Sequence, residues 1–384
     1  MFALSGPLAV YGKSAKEGLD LAVEELNSQD GILGRRIELK VEDDGGYSGD
    51  TDTGVRVAGR LAREENVAFL IGLDSSGVAE AVAPTMKELG KILMITHAAS
   101  PRLTGDLCNR YVFRVSLNVP QNSAAGAQVA TTELKAKRWT NIGPDYAFGR
   151  QSREYFKRSL KKLQPDAEFL EDEAQWPKSG NEDFTSSIAA LHGTKADAIW
   201  SSTFGNDLIN LVRQGNQSGL FKMNKPFLFE LGAAMEVLEA LGDQMPTGLW
   251  VGTRWWYQEP RTEANRRFVE SFFGKYGHFP SYNAQNAYTG LKVVATAAEK
   301  ARSLETDELV AALEGFSMDS PMGGLTIRKQ DHQTAIQAVW GKSAESRDVK
   351  FCALGLKFRV LEPVRVFNAE DITPVVGQTG CTIA

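Results

Sequence analysis

The sequence predicts an α/β protein built as two doubly wound lobes in series, and three observations predict it. Strand-like and helix-like segments alternate at a regular pace through the first hundred residues, the mark of a parallel sheet covered by helices. The same rhythm restarts after Val119-Pro120. After Leu249–Thr253 the chain returns first to long helices and then to β segments, so it crosses between lobes more than once. Three crossings are expected, near Val115–Pro120, Gly252–Trp256 and Thr326–His332. They divide the chain into a first lobe of 1–117 and 255–327 and a second of 118–254 and 328–384.

Ser14-Ala15-Lys16-Glu17 reads as a capping box, after which Leu19, Ala22, Val23 and Leu26 share one apolar face at helical spacing. Ile37, Leu39 and Val41 alternate with charged residues, which predicts a strand with one wet face near a sheet edge. A helix carrying Val55, Ala58, Leu61 and Ala62 follows, and then the unbroken apolar run Val67–Ile71 of a central parallel strand. A helix over Val78–Leu89 and a strand over Ile92–Ile95 complete the first set.

In the second set, helices are expected near Ser123–Leu134, Arg150–Leu163 and Asp207–Gln217. Strands are expected near Thr140–Ile142, Glu168–Leu170, Ala198–Ser202 and Phe227–Glu230. Three helices follow, over Glu263–Tyr276, Tyr282–Ala301 and Thr306–Leu313. Ala335–Trp340 and Leu356–Phe367 alternate like a β-hairpin with a long connection.

The chain has 384 residues, 42% of them hydrophobic, enough for two or three packed cores. Its net charge of -5 and its short, interrupted basic cluster Lys135–Arg138 argue against a nucleic-acid partner, which would need a sustained positive face. The longest apolar run, Val67–Leu73, is far short of a membrane span. The four histidines are scattered without ligand spacing, so no metal site is expected. No G-x-G-x-x-G follows a strand, which disfavours nicotinamide and flavin, and no cofactor is expected. Cys108, Cys352 and Cys381 form no C-x-x-C motif and read either as buried thiols or as one disulfide and one free thiol.

Gly12-Lys13-Ser14 opens a helix, but Pro7 stands where a phosphate-binding loop requires its first glycine. Gly72-Leu73-Asp74-Ser75-Ser76-Gly77 follows the central strand and precedes a helix, at the sheet edge where α/β proteins bind ligands. Its hydroxyls and helix-start amides suit a carboxylate, with simple N-capping as the alternative. Thr96-His97-Ala98-Ala99-Ser100 lies at the same edge and adds to a concave polar patch. A hydrolase using Ser75 with His97 would need a nucleophile elbow and an acid partner that the sequence does not show. In the second lobe Tyr146, Phe204 and Glu230 follow strands at the carboxyl edge, and Trp255, Trp256 and Tyr257 sit at a crossing. Each aromatic alone reads as packing; their shared location suggests a binding wall.

Taken in order, Ser5–Gly12, Ala22–Asn27, Gly31–Gly34, Asp43-Asp44, Ile71-Gly72 with Ser75-Ser76, Thr96–Ser100, Tyr111–Arg114, Asp145–Arg150, Pro280–Tyr282 and Asn286–Tyr288 resemble one known family. It is the branched-chain amino acid type of periplasmic solute-binding protein serving ABC importers, with the type I periplasmic binding fold. The resemblance implies two Rossmann-like lobes, three hinge crossings and a ligand cleft between the lobes. It implies that groups at Ser75, Ser76, Ala98 and Ser100 hold the ligand carboxylate, that Glu230 takes an ammonium, and that Tyr11, Tyr146 and Phe204 enclose the side chain.

Asp74 beside the serines, His97 in the loop, Phe204 in place of a phenol, and the extra aromatic surface of Trp255 and Trp256 depart from the expected pattern. They point to an aromatic amino acid or aromatic carboxylate as an alternative to a branched-chain ligand. The resemblance further implies export with a signal peptide removed, a periplasmic or other extracytoplasmic location, a permease as partner and a monomer without enzymatic activity. It favours a disulfide, for which Cys108 with Cys381 is the expected pair and Cys352 the free thiol. A ligand-sensing domain of a receptor or regulator is the rival function for the same fold.

Overall fold

The computed structural model describes residues 1–46, 51–346 and 358–383. Its strands in chain order are β1 (Phe69–Gly72), β2 (Ile92–Ile95), β3 (Val112–Arg114), β4 (Arg138–Ile142), β5 (Glu168–Phe169), β6 (Ala198–Ser201) and β7 (Phe227–Phe229). They continue as β8 (Trp250–Thr253), β9 (Ser317–Ser320), β10 (Gly323–Ile327), β11 (Thr334–Ala335), β12 (Ala338–Ala344) and β13 (Val360–Phe367). The chain divides into two compact units: Met1–Asn118, Trp255–Ile336 and Thr373–Ala384 form the first, Val119–Arg254 and Gln337–Ile372 the second.

In the first unit β1, β2 and β3 form a parallel sheet, whose fully apolar central strand Ile92–Ile95 is buried along its length. Leu61, Val78, Val82, Met86 and Leu103 pack with Leu70, Leu93 and Val112 into its core. A second, antiparallel sheet has the order β11-β10-β9. The helix Ala9–Asn27 packs on the helix Tyr282–Ala301 so closely that a Cβ at Gly18 would lie 1.9 Å from the Ala284 carbonyl oxygen. Only glycine permits that approach.

The second unit is organised on one seven-stranded sheet of order β13-β12-β8-β7-β6-β4-β5. Its five strands from β8 to β5 run parallel, and β12 and β13 close the other edge antiparallel. Loops that bear aromatic and acidic side chains therefore leave the carboxyl ends of neighbouring parallel strands, where such sheets bind ligands.

Several local expectations are corrected. The first helix starts at Ala9, after the turn Gly6–Leu8, so the Ser14 capping box is not used; the Ser14 hydroxyl instead lies 2.7 Å from that of Ser281, the N-cap of Tyr282–Ala301. Ile37–Val41 is not a strand, since its backbone joins no sheet; Leu39 and Val41 instead line a cavity of about 370 Å³ with Val67 and Phe69. Pro84 breaks the helix expected over Val78–Leu89 into Ser76–Val82, a short 3-10 turn and Met86–Leu89.

The unit boundaries also depart from those expected. Residues 328–336 stay in the first unit, where Gln333 accepts from the buried Arg114 guanidinium and His332 stacks on Phe113 with ring centroids 3.9 Å apart. The last segment, Thr373–Ala384, returns to the first unit, so the chain changes unit four times and not three. A disulfide between Cys108 and Cys381 and the bond from Arg328 Nη1 to the Pro374 carbonyl oxygen (2.6 Å) anchor it there. Cys352, expected as the free thiol, lies outside the described residues, as do Leu356 and Lys357 of the expected hairpin.

Candidate functional site

In the first unit the loops after β1 and β2 interlock. The Ala98 N–H donates to the Leu73 carbonyl (2.9 Å), and the Ala99 N–H donates to the Ser76 hydroxyl (3.3 Å). Ser100 Oγ donates to Glu80 (2.5 Å) while accepting from the Arg102 N–H (3.2 Å). The groups of Ser76, Ala98 and Ser100 expected to hold a carboxylate thus already serve the loops themselves. Ser75 caps the helix Ser76–Val82, accepting from the Val78 N–H at a long 3.5 Å. The amides of Ser76 and Gly77, first in that helix, have no intrahelical acceptor and point out of its end.

Asp74 does not face outward with the serines. It is buried, accepting from the Ala3 N–H (2.7 Å) and lying 2.9 Å from His97 Nδ1. Burial pushes its carboxyl up to about 7. His97 Nε2 lies 3.2 Å from the Tyr282 hydroxyl, and the Tyr11 ring meets His97 edge-on at 5.1 Å. Tyr11, Asp74, His97 and Tyr282 therefore form one cluster under the loops. Trp255 donates its indole N–H to the Pro321 carbonyl (3.0 Å) and packs edge-on against Phe268, which places it with the β9–β10 turn.

In the second unit Tyr146 follows β4 and Phe204 follows β6, each immediately before a helix. Their ring centroids lie 6.5 Å apart, and Phe148 fills the corner at 6.3 Å from Tyr146 and 5.2 Å from Phe204. Glu230, next after β7, is fully buried. Its Oε2 accepts from the Ser152 hydroxyl (2.5 Å), and the Asn122 side chain and the Arg254 charge also act on the carboxyl. Burial raises its carboxyl to about 7, against the Ser152 bond, the Arg254 charge and the Asn122 side-chain bond, which pull it down.

Sequence reasoning missed Arg114, Tyr282 and Ser152 as parts of these edges. Arg114 is buried and donates to the carbonyls of Ala98 (3.2 Å) and Ser100 (2.6 Å) and to the Thr104 hydroxyl (2.6 Å), which fixes the β2 loop. A charge closing the apolar triplet Val112-Phe113-Arg114 is the signal that could have found it. Ser152 is one of several polar residues on its helix and has no such signal. Among the described residues no cluster of metal-ligating side chains is present, and no helix is long and apolar enough to cross a membrane.

The family model described as periplasmic binding protein matches residues 1–345. A Leu/Ile/Val-binding protein homolog of Brucella melitensis biotype 1 is 25% identical over 398 residues, covering 99% of this chain and 90% of the relative. An amino acid ABC transporter substrate-binding protein from Pseudomonas fluorescens Pf-5 superposes with a TM-score of 0.85 at 24% identity, covering 100% of this chain and 98% of that one. A solute-binding protein of Rhodopseudomonas palustris BisB5, solved in complex with 3,4-dihydroxybenzoic acid, gives 0.83 at 21% identity, with 96% of each chain covered. The fold of these structures is the two-lobed, mixed α/β arrangement that the sequence predicts. The chain belongs to the periplasmic binding protein family, in its branched-chain amino acid type, and is a binding protein and not an enzyme.

Proposed function

We propose that the protein is the extracytoplasmic solute-binding component of an ABC importer, taking a small carboxylate-bearing ligand and delivering it to the permease. The ligand is a branched-chain or aromatic amino acid or an aromatic carboxylate. The observation that carries this reading is the fully buried Glu230 carboxyl after β7, faced by Ser152, Asn122 and the Arg254 charge. A fully buried acid is costly unless charge and donors pair with it, and a ligand ammonium would add both.

The Ser75 hydroxyl and the amides of Ser76 and Gly77 supply donors for a carboxylate, where each hydrogen bond to a charged group contributes roughly 1.5–3 kcal/mol. The Tyr146, Phe148 and Phe204 rings supply an apolar wall, worth about 25 cal/mol per Å² of ligand surface covered. The disulfide supports an oxidising, extracytoplasmic setting. The same three rings, with the dihydroxybenzoate-bound relative, support an aromatic acid as the second ligand class.

A thermal-shift screen against the twenty amino acids, benzoates, phenylpropanoids and short aliphatic acids tests the reading. Ligand at about 100 times its dissociation constant stabilises the folded state by about 2.7 kcal/mol, a shift of several degrees. A shift with leucine, valine or phenylalanine that is lost in Glu230→Gln supports the amino acid reading; one with aromatic acids alone that survives it supports the second class. No shift across the panel overturns both.

A further inference from the structure

Met1 and Phe2 pair with two neighbouring segments at once. On one side the Phe2 N–H donates to the Glu42 carbonyl (3.1 Å) and the Asp44 N–H to the Phe2 carbonyl (3.0 Å). On the other the Met1 amino group donates to the Ile71 carbonyl (2.9 Å) and the Leu73 N–H to the Met1 carbonyl (2.9 Å). Phe2 stands opposite Asp43 in parallel register, which places Met1 opposite Glu42, and the bonds to Ile71 and Leu73 place it opposite Gly72. A path running back from Met1 for about five residues in that register reaches Ile37 on one side and Val67 on the other. The cavity of about 370 Å³ lies along this path, lined by the half-buried side chains of Leu39 and Val41 from one segment and Val67 and Phe69 from the other.

The backbone on both sides is turned toward it. In an extended chain one residue's N–H and C=O point to the same side and the next residue's to the other. Ile71 and Leu73 turn theirs to Met1 while the Gly72 carbonyl accepts from Thr96, so Phe69 also presents its groups to the cavity. Glu42 and Asp44 turn to Phe2, and Ile37 turns away to the Asn27 side chain, which accepts from its N–H at 2.7 Å and donates to its C=O at 3.0 Å. Lys40 therefore faces the cavity from the other side. Helices cover both faces: Leu70 packs with Leu61 of the helix Thr51–Arg63, while a Cβ on Gly290 of the helix Tyr282–Ala301 would lie 3.2 Å from Ile71 Cδ1. At the near end the Met1 amino group is buried, and that burial lowers its pKa against the pull of Asp44 and Asp74. A charge is costly there, whereas a peptide N–H makes the same bond to Ile71 without one.

We propose that this slot is a strand-binding site, and that its occupant is an extended segment of about five residues that precedes Met1 in the protein and runs into it as one strand. Because helices cover both faces, the segment is apolar throughout and does not alternate. It turns β1 from the edge of its sheet into an interior strand and gives Ile37–Val41 the partner that its alternation calls for.

The test compares the full chain with two versions extended before Met1, one by five valine or isoleucine residues and one by five alternating glycine and serine residues. Hydrogen exchange read by mass spectrometry follows the peptides covering 37–42 and 67–71, and thermal unfolding follows stability. The apolar extension is expected to slow exchange in both peptides about tenfold or more and to raise Tm by several degrees. The glycine–serine extension, which also removes the buried charge, is expected to give much less. Equal effects of the two extensions, or no slowing with either, overturn the proposal. Slowing by a free apolar pentapeptide added to the unextended chain, without slowing by the extension, assigns the slot to a strand of another protein and equally overturns it. The mass of the amino-terminal peptide of the protein isolated from its own cells is a check that needs no variant. A peptide that reaches about five or more residues upstream of Met1 is expected, and one that begins at Met1 overturns the proposal.

Discussion

His97 Nδ1 stands 2.9 Å from Asp74 Oδ1 with both side chains buried, and this pair ties the loop after β2 to the loop after β1. Tyr282 meets the other imidazole nitrogen at 3.2 Å. Replacing His97 with Ala removes the buried partner of Asp74 Oδ1, and an acceptor left unmet in the interior costs about 1–3 kcal/mol. Urea unfolding of His97→Ala is expected to show a loss of about 2 kcal/mol. A loss too small to measure would mean that the pair does not hold the loops.

Buried carboxyls make the fold more stable in mild acid. Asp74, Asp207 and Glu230 titrate at about 7, raised by burial from ordinary values of 3.8 to 4.5. Between those values and about 7 the folded chain binds more protons than the unfolded one, so stability falls as pH rises through that window and levels off above it. Thermal unfolding at pH 5 to 8 is expected to show Tm decreasing with pH, with a shallower slope in Glu230→Gln. A rising Tm over this range would contradict the assignment.

The disulfide closes a loop with a sequence separation of 273. Chain-entropy arguments assign such a loop about 5.6 kcal/mol, an upper figure because unfolded chains retain structure. Reduction, or Cys381→Ser, is expected to lower Tm by several degrees and to open Thr373–Ile383 to proteolysis. An unchanged Tm and an intact C-terminus under reducing conditions would show that the tail is anchored by its hydrogen bonds alone.

At Gly18 there is no space for a side chain, since the obstacle is the Ala284 backbone and not a flexible group. Gly18→Val forces the helices Ala9–Asn27 and Tyr282–Ala301 apart, and a cost of about 3 kcal/mol or more is expected, read as insoluble expression or a collapsed Tm. Wild-type stability in that variant would contradict the helix packing described.

What the sequence made legible follows from how local the signal is. The helices Glu263–Tyr276, Tyr282–Ala301 and Thr306–Leu313 and the strand Ile92–Ile95 carry unbroken periodicity and fall where expected. Ile37–Val41 alternates as a strand should, yet a strand exists only with a partner beside it, and pairing is not written in alternation. The short strands β3, β9, β10 and β11 were missed because two to five residues give no period, and the returning tail was missed because it is held by tertiary bonds. At the candidate site, the loops bearing Ser75, His97, Tyr146 and Glu230 were legible from their position after strands. Which polar groups those loops spend on themselves was not, since the Ser76–Ala99 and Ser100–Glu80 bonds join residues about twenty apart.

The most direct test of the central claim is a calorimetric titration of the oxidised protein with L-leucine, L-phenylalanine and benzoate. Saturable binding of one of them at a single site, with a dissociation constant of about 10 µM or tighter, is the expected result. Flat isotherms with all three, from protein whose thermal unfolding shows it to be folded, would contradict the assignment of this chain as a receptor for amino acids or aromatic acids.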